Sequence, residues 1–267
     1  MVEITKKYKI GTRRFGLVNW YGTWTLYVKE VLRFLNVWAQ TLFSPLISSL
    51  LFLLVLSLAI GTERGEVLGV SFITFLAPGL IAMQIIQQAF SHSSSSLMIK
   101  KIDGTIVDLL FAPLSASEAT IAISLAAVTR SVLLAIISII TFTLIIDIQI
   151  QNYLTLISFT FLSSFILGNI GIIAGLWAEK FDNMATVTNF IIVPLSFLSG
   201  TFYSIERLPG FLQTVSEFNP FFYMIDGFRY SFIGTADGSI TFGMIYLIIL
   251  SFVSWLVTYI LYKKGYK

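Results

Sequence analysis

The chain has 267 residues, 56% of them hydrophobic and 12% charged, with a net charge of +3 and a mean hydropathy of +0.86. So little charge cannot cover the surface of a soluble domain of this length, and an integral membrane protein follows. The absence of cysteine excludes disulfides, iron–sulfur clusters and thiolate metal sites.

The first residues, MVEITKKYKIGTRRFG, are basic and lead into no short apolar region with a small-residue cleavage site, so no cleavable signal peptide is expected. In the following WYGTWTLYVKEVLRFLNVWAQTLF, the residues Trp20, Trp24, Tyr27, Val28, Val31, Leu35 and Trp38 recur at steps of three and four. Lys29, Glu30, Arg33 and Asn36 fall largely elsewhere. This spacing predicts an amphipathic helix lying in the cytoplasmic membrane interface, within an N-terminal region of residues 1–37. Such a helix serves as a plain anchor, or as a lever between a cytoplasmic partner and the first span.

Residues 38–265 form an all-α transmembrane domain. Apolar runs fall at roughly Leu42–Ile60, Val70–Phe90, Ala119–Ile146, Leu154–Trp177, Ala185–Tyr203 and Phe242–Tyr262. Each exceeds or approaches the minimum of about 18 residues for a bilayer-spanning helix. Helix is required because lipid offers no partner for backbone N–H and C=O groups. Lys6, Lys7, Lys9, Arg13, Arg14, Lys29 and Arg33 precede the first span. Lys100 and Lys101 follow the second, Lys180 the fourth, and Lys263, Lys264 and Lys267 the sixth. The alternate side holds only Arg64, Arg207 and Arg229. Six crossings with both termini cytoplasmic satisfy this split.

The longest inner segment, Ser91–Glu118, is not featureless. Leu97, Ile99, Ile102, Ile106, Leu109 and Leu110 make a short apolar stripe, and Lys100, Lys101, Asp103 and Asp108 a polar face. Gly104 weakens the helix and Pro113 ends it. A helix of this kind buries its stripe in lipid or in the groove of a partner protein.

Arg130 lies about halfway along the third span, where a charge must face protein, water or a counter-charge. Glu118 and Glu179 are candidate partners at the cytoplasmic end. A structural ion pair is the plainer role and a place on a substrate path the functional one. Asn169, Gly171 and Gly175 in the fourth span offer a small face for close helix packing.

After the fifth span, Ser204–Asp237 starts and ends outside by parity, yet is crowded with aromatics. Leu208, Phe211, Leu212 and Val215 recur at helical spacing after Pro209, and Asn219-Pro220 marks a break. Two short helices that dip into the outer leaflet and return are expected, an aromatic interfacial loop being the simpler form.

Several functions lose support. No G-x-x-x-x-G-K-[ST] phosphate loop and no G-x-S-x-G occur, and His92 is the only histidine. No catalytic constellation or metal site is therefore expected. The carboxylates Asp147 and Asp226 sit at the outer edge, and no internal repeat is visible, which disfavours an ion-coupled carrier. The modest positive charge is assigned to topology, with no nucleic-acid partner.

With these residues in place, the chain resembles the ABC-2 type transport permeases. FLSGTFYSIERLPGFLQTVSEFNPFFYMIDGFRY is similar to the family pattern at Leu198, Ser199, Gly200, Phe202 and Tyr203, at Leu208 and Pro209, and at Asn219, Pro220, Tyr223, Phe228 and Arg229. The stretch FSHSSSSLMIKKIDGTIVDLLFAPLSASE resembles its coupling region. The resemblance covers nearly everything after about Leu35. It implies six spans, an interfacial N-terminal helix and re-entrant helices between spans five and six. It also implies a homodimer or pseudo-symmetric pair, joined to two separately encoded ATP-binding subunits that hold ATP and magnesium. Export of a polysaccharide, glycolipid or amphipathic molecule across a bacterial inner membrane is the expected function. A drug exporter subunit and an ion-coupled carrier are the alternatives.

Overall fold

The computed structural model describes residues 18–60, 65–146 and 148–264. The basic cluster from Lys6 to Arg14, together with Arg64, Asp147 and Lys267, lies outside the described residues. Among them, six helical stretches are long and apolar enough to cross a membrane. The only sheet among the described residues is a hairpin of two-residue strands, β1 (Glu66–Val67) and β2 (Val70–Ser71). The protein is all-α, with six candidate spans.

The chain opens with α1 (Trp20–Leu35), and Ala39–Phe43, one π-helical turn, leads into α2 (Ser44–Ile60) as the first span. Helix α3 (Phe72–Ile102) is the second, and α4 (Ile106–Phe111) is a short helix after it. The third and fourth spans are α5 (Ala116–Ile145) and α6 (Tyr153–Trp177). The fifth joins α7 (Phe181–Val187) and α8 (Val193–Leu198) through a π-helical turn at Thr188–Ile192. Two further helices, α9 (Gly210–Phe218) and α10 (Pro220–Ile233), precede the last span, α11 (Ile240–Lys264).

The second span is longer than its apolar run suggests. Helix α3 does not stop near Phe90 but continues through the serines to Ile102, about 46 Å in all. The break falls at Asp103 and Gly104, the latter in the left-handed conformation at φ 73°. The stretch expected as one separate amphipathic helix is thus the end of α3, a turn, and α4.

Burial sorts the spans into two groups. In the apolar windows of α3, α6 and α5, 78%, 67% and 56% of residues are buried, against 28%, 17% and 17% for the first, fifth and sixth spans. The central trio is held by close backbone approach. A Cβ on Gly171 of α6 would stand 2.5 Å from the Phe90 carbonyl oxygen of α3, and one on Gly175 would meet Ser94 O and Leu97 Cβ at 3.0 Å. Small residues on α6 therefore face the serine run of α3, the geometry by which helices associate where lipid supplies no hydrophobic drive. Asn169 on the same helix is fully buried. It accepts from Ser124 Oγ of α5 at 3.1 Å, while its carbonyl accepts from Thr258 Oγ1 of α11 at 3.3 Å.

Gly171→Ala is expected to cost about 1–3 kcal/mol, because the carbonyl it meets is backbone and cannot turn aside. A lowered unfolding temperature in detergent checks this. Gly210→Ala, at a position with open space around it, is the control expected to change nothing.

Candidate functional site

Three polar assemblies lie along α3. The first clamps α1 to it. Leu26, Glu30 and Phe34, one turn apart, are the buried face of α1. Trp20 and Trp24 point outward at 75% and 63% exposure, Leu35 is exposed, Val31 is half-buried, and Tyr27 bonds Thr129 of α5 through its hydroxyl at 2.8 Å. The helix is amphipathic, and the face it turns to the rest of the chain is Leu26, Glu30 and Phe34, which includes a carboxylate. Glu30 pairs with Lys100 Nζ, accepts from Arg33 Nε at 3.0 Å, and has His92 Nε2 at 3.9 Å. Arg33 also donates to the His92 carbonyl at 2.8 Å. Burial alone would raise the Glu30 carboxyl, but the Lys100 ammonium and the Arg33 guanidinium outweigh it and hold the group down at about 2. The start of α1 is anchored separately. Asn19 N donates to Glu118 Oε1 at 2.6 Å, and Glu118 completes the capping box of α5 with Ser115.

Beyond the clamp, α3 and α4 make a helical tip. The two lysines of its expected polar face are used internally, while Asp103 and Asp108 stay exposed: Lys100 holds Glu30, and Lys101 Nζ donates to the carbonyls of Leu176 and Ala178 at 2.6 and 2.7 Å, capping the C-terminal end of α6. Leu97 and Leu109 are buried in a cluster with Leu26, Ala119, Ile123 and Tyr262, while Ile106 is half-buried. Ile102 and Leu110 are exposed, as are Asp103, Val107 and Phe111, the last at 86%. Ile99, also exposed, faces a groove described below. The turn at Gly104 resets the helical phase, so the expected stripe does not run along one face. Its members divide between the core and an apolar tip.

The second assembly lies at the opposite end and gathers much of the motif read from sequence. Asn219 caps α10, accepting from Phe221 N at 3.0 Å, while its Nδ2 donates to Ser199 Oγ at 2.7 Å and to Leu195 O at 3.1 Å. Pro220 opens α10. Gly200 turns the chain at φ 73°. Its carbonyl accepts from Arg229 Nη2 at 2.6 Å, and the fully buried guanidinium lies 3.8 Å above the Phe75 ring of α3. Gly79 of α3 makes room, since a Cβ there would stand 2.7 Å from Thr201 O and 2.8 Å from Arg229 Nη2. Asp226 accepts from the backbone of Asp237 and Gly238 at 3.1 and 2.9 Å, fixing the entry to α11. Phe228 is buried, and Tyr223 stacks edge-on with Phe222 and Tyr246. Tyr203 and Pro209 stand apart from this network, Tyr203 OH reaching Phe197 O at 3.3 Å and Pro209 preceding α9 on the surface. Helix α9 exposes Phe211 and Phe218.

The third is a groove of about 610 Å³ between α2, α3, α5 and the fifth span. Arg130 lines it, buried, with Nη2 donating to Gln88 Oε1. Glu118, weighed from sequence as its partner, is instead committed to Asn19 and the α5 cap. Sequence reasoning missed Glu30, His92 and the groove glutamines. The signals were present: Leu26, Glu30 and Phe34 share a spacing of four, and IIQQ places amides within an otherwise apolar span.

Six candidate spans, three of them a close-packed central trio joined to its neighbours by buried polar groups, define a polytopic helical membrane protein. A family model for ABC-2 type transporter matches residues 21–233. The inner membrane transport permease YadH of Escherichia coli is 31% identical over 248 residues, covering 92% of this chain and 96% of that protein. Nodulation protein J of Neorhizobium galegae is 23% identical over 90% of this chain and 92% of its own length. Nodulation protein J of Rhizobium leguminosarum is 24% identical over 80% and 81%. The chain belongs to the ABC-2 type transporter family. It is the transmembrane subunit of an ATP-binding cassette transporter, a multi-pass inner-membrane protein of a class that associates with ABC ATPase subunits and is not itself the catalyst.

Glu30→Gln leaves Lys100 and Arg33 sharing no anion, and is expected to lose about 3 kcal/mol. The carboxyl is held below its unfolded value of 4.5, so its contribution is fully present above pH 4.5 and fades as pH falls toward 2. Thermal unfolding of wild type and variant in detergent should differ most at pH 7 and converge below pH 4.5.

Proposed function

We propose that the chain is the membrane half of an ATP-driven exporter, moving a polysaccharide, glycolipid or other amphipathic molecule out of the cytoplasm. The observation that supports this most directly is the helical tip. Ile102, Val107, Leu110 and Phe111 are exposed together at the end of α3, the most buried helix of the bundle. An apolar tip on a rigid rod suits docking into a cleft on another protein.

In this reading the tip and both termini face the cytoplasm, as the lysine and arginine placement favours. ATP and magnesium bind between two separate ATPase subunits, and closure of that pair displaces the tip. Helix α3 carries the displacement, and α1 follows because Glu30 binds it to Lys100. At the far end, α3 meets the Gly200–Arg229 network through Gly79 and Phe75, so the same movement reaches α10. Helices α9 and α10 sit in the outer leaflet and return without crossing. Packed helices of this kind shift between discrete arrangements. The second copy docks against the first and fifth spans, whose faces are largely uncovered. The N-terminal aromatics Trp20 and Trp24 rest at the headgroup level.

Ile102→Asp combined with Phe111→Asp is expected to lower recovery of the ATPase subunit with a tagged chain at least tenfold. Assembly of the chain with its own second copy should be unchanged. Undiminished ATPase recovery and undiminished cargo-stimulated ATP hydrolysis would remove the tip as the docking surface.

A further inference from the structure

The groove beside Arg130 has properties that helix packing does not require. Gln84, Gln87, Gln88, Ser91 and Ser95 present one polar face of α3 to it, at steps of three and four residues. Arg33 closes the end nearest the tip, and Arg130, bonded to Gln88, lies roughly 20 Å from the end of α3. Among the described residues, no carboxylate lines the groove. Glu30, just behind Arg33, serves both Arg33 and Lys100. Arg130 has no carboxylate among its described partners or among the residues lining the groove.

Arg130 carries the inference furthest. Its side chain is more than nine-tenths buried, its one hydrogen bond goes to a neutral amide, and its Nε has no partner. A guanidinium at that depth is costly unless something anionic meets it. Its planar fork matches the oxygens of a phosphate or carboxylate. Toward the opposite end the walls turn apolar at Phe52, Met83, Val193 and Phe197. A polar cationic end and an apolar end in one groove describe an amphipath with an anionic head.

We propose that this groove binds the transported molecule by an anionic headgroup, held between Arg130 and Arg33, with its apolar part along Phe52 and Phe197. The assignment rests on the chain being a permease, as proposed above, and narrows its cargo to an anionic amphipath. Gln88 positions Arg130 from the neighbouring helix, and the remaining glutamines supply amide donors to the headgroup.

The lack of native cysteine makes a site-specific label clean. The full chain in phosphatidylcholine nanodiscs, with Ser48→Cys carrying an environment-sensitive dye, is titrated with dodecyl phosphate and with dodecyl maltoside. Dodecyl phosphate should saturate at a concentration at least tenfold lower than the neutral amphiphile. Arg130→Gln should abolish that preference while leaving the maltoside response. Gln87→Glu, which keeps Arg130 and introduces a negative charge into the groove, should weaken dodecyl phosphate at least tenfold and stands as the test if Arg130→Gln does not fold. Equal response to both amphiphiles, or no effect of Gln87→Glu, overturns the proposal. Repeating the titration in phosphatidylglycerol nanodiscs separates cargo from resident lipid. Persistence of dodecyl phosphate binding supports cargo, and its complete displacement assigns the groove to bilayer lipid and overturns the cargo assignment. No ATP enters this measurement, so its outcome is independent of whether the tip docks an ATPase.

Discussion

Lipid is as apolar as a leucine side chain, so pressing one greasy helix on another in a membrane brings no hydrophobic gain. What holds the bundle is close backbone approach and buried polar contact, and α3 collects both. Gly171 and Gly175 let α6 come against its serine run. Ser131 of α5 reaches the Ile85 carbonyl at 3.2 Å. Glu30 binds α1 to it through Lys100, and Gly79 brings the Gly200 turn onto it. A helix fastened on so many sides moves as a rod or not at all, and the tip, the groove and the far-end network are three places on that rod.

This arrangement changes the meaning of the charged residues near the tip. Lys100 and Lys101 look like a solvated face but are both spent on the chain's own helices, one on a carboxylate and one on the end of α6. What is left outward is a cluster of apolar side chains flanked by Asp103 and Asp108. In the docking proposed above, the contact surface is Ile102, Val107, Leu110 and Phe111. Electrostatic attraction from the two lysines contributes little, because their charges already have partners.

The two buried arginines outside the clamp illustrate opposite solutions to the same problem. Arg229 is surrounded by protein, with the carbonyls of Gly200 and Thr201 and the Phe75 ring around it, and Asp226 lies one turn away on its own helix. Its Nε and Nη1 have no hydrogen-bond partner, as Arg130 Nε has none, but packed protein, not a groove, surrounds it. Arg130 instead borders open space and has only an amide. Burial depth alone does not separate these roles. The observed difference between them is the groove beside Arg130.

Much was legible in advance. Apolar run length and the lack of charge dictate six helical spans, because in lipid only a helix satisfies every backbone group within its own segment. The motif from Leu198 to Arg229 marked residues that do meet, Ser199 with Asn219 and Gly200 with Arg229, because caps and turns are local chemistry and leave local signatures. Tertiary structure alone decided the rest. Glu30 became a buried clamp because α1 packs on its Leu26–Phe34 face, a choice that the aromatic pattern of an isolated helix does not contain. The expected coupling helix divided because α3 gains more by continuing along α6 than by stopping at Phe90, and then turned at Gly104. Arg130 found Gln88 across a helix interface, not Glu118 on its own helix. Composition determines that a residue must be satisfied in the membrane, but its partner depends on which helices become neighbours, and that is settled only by packing.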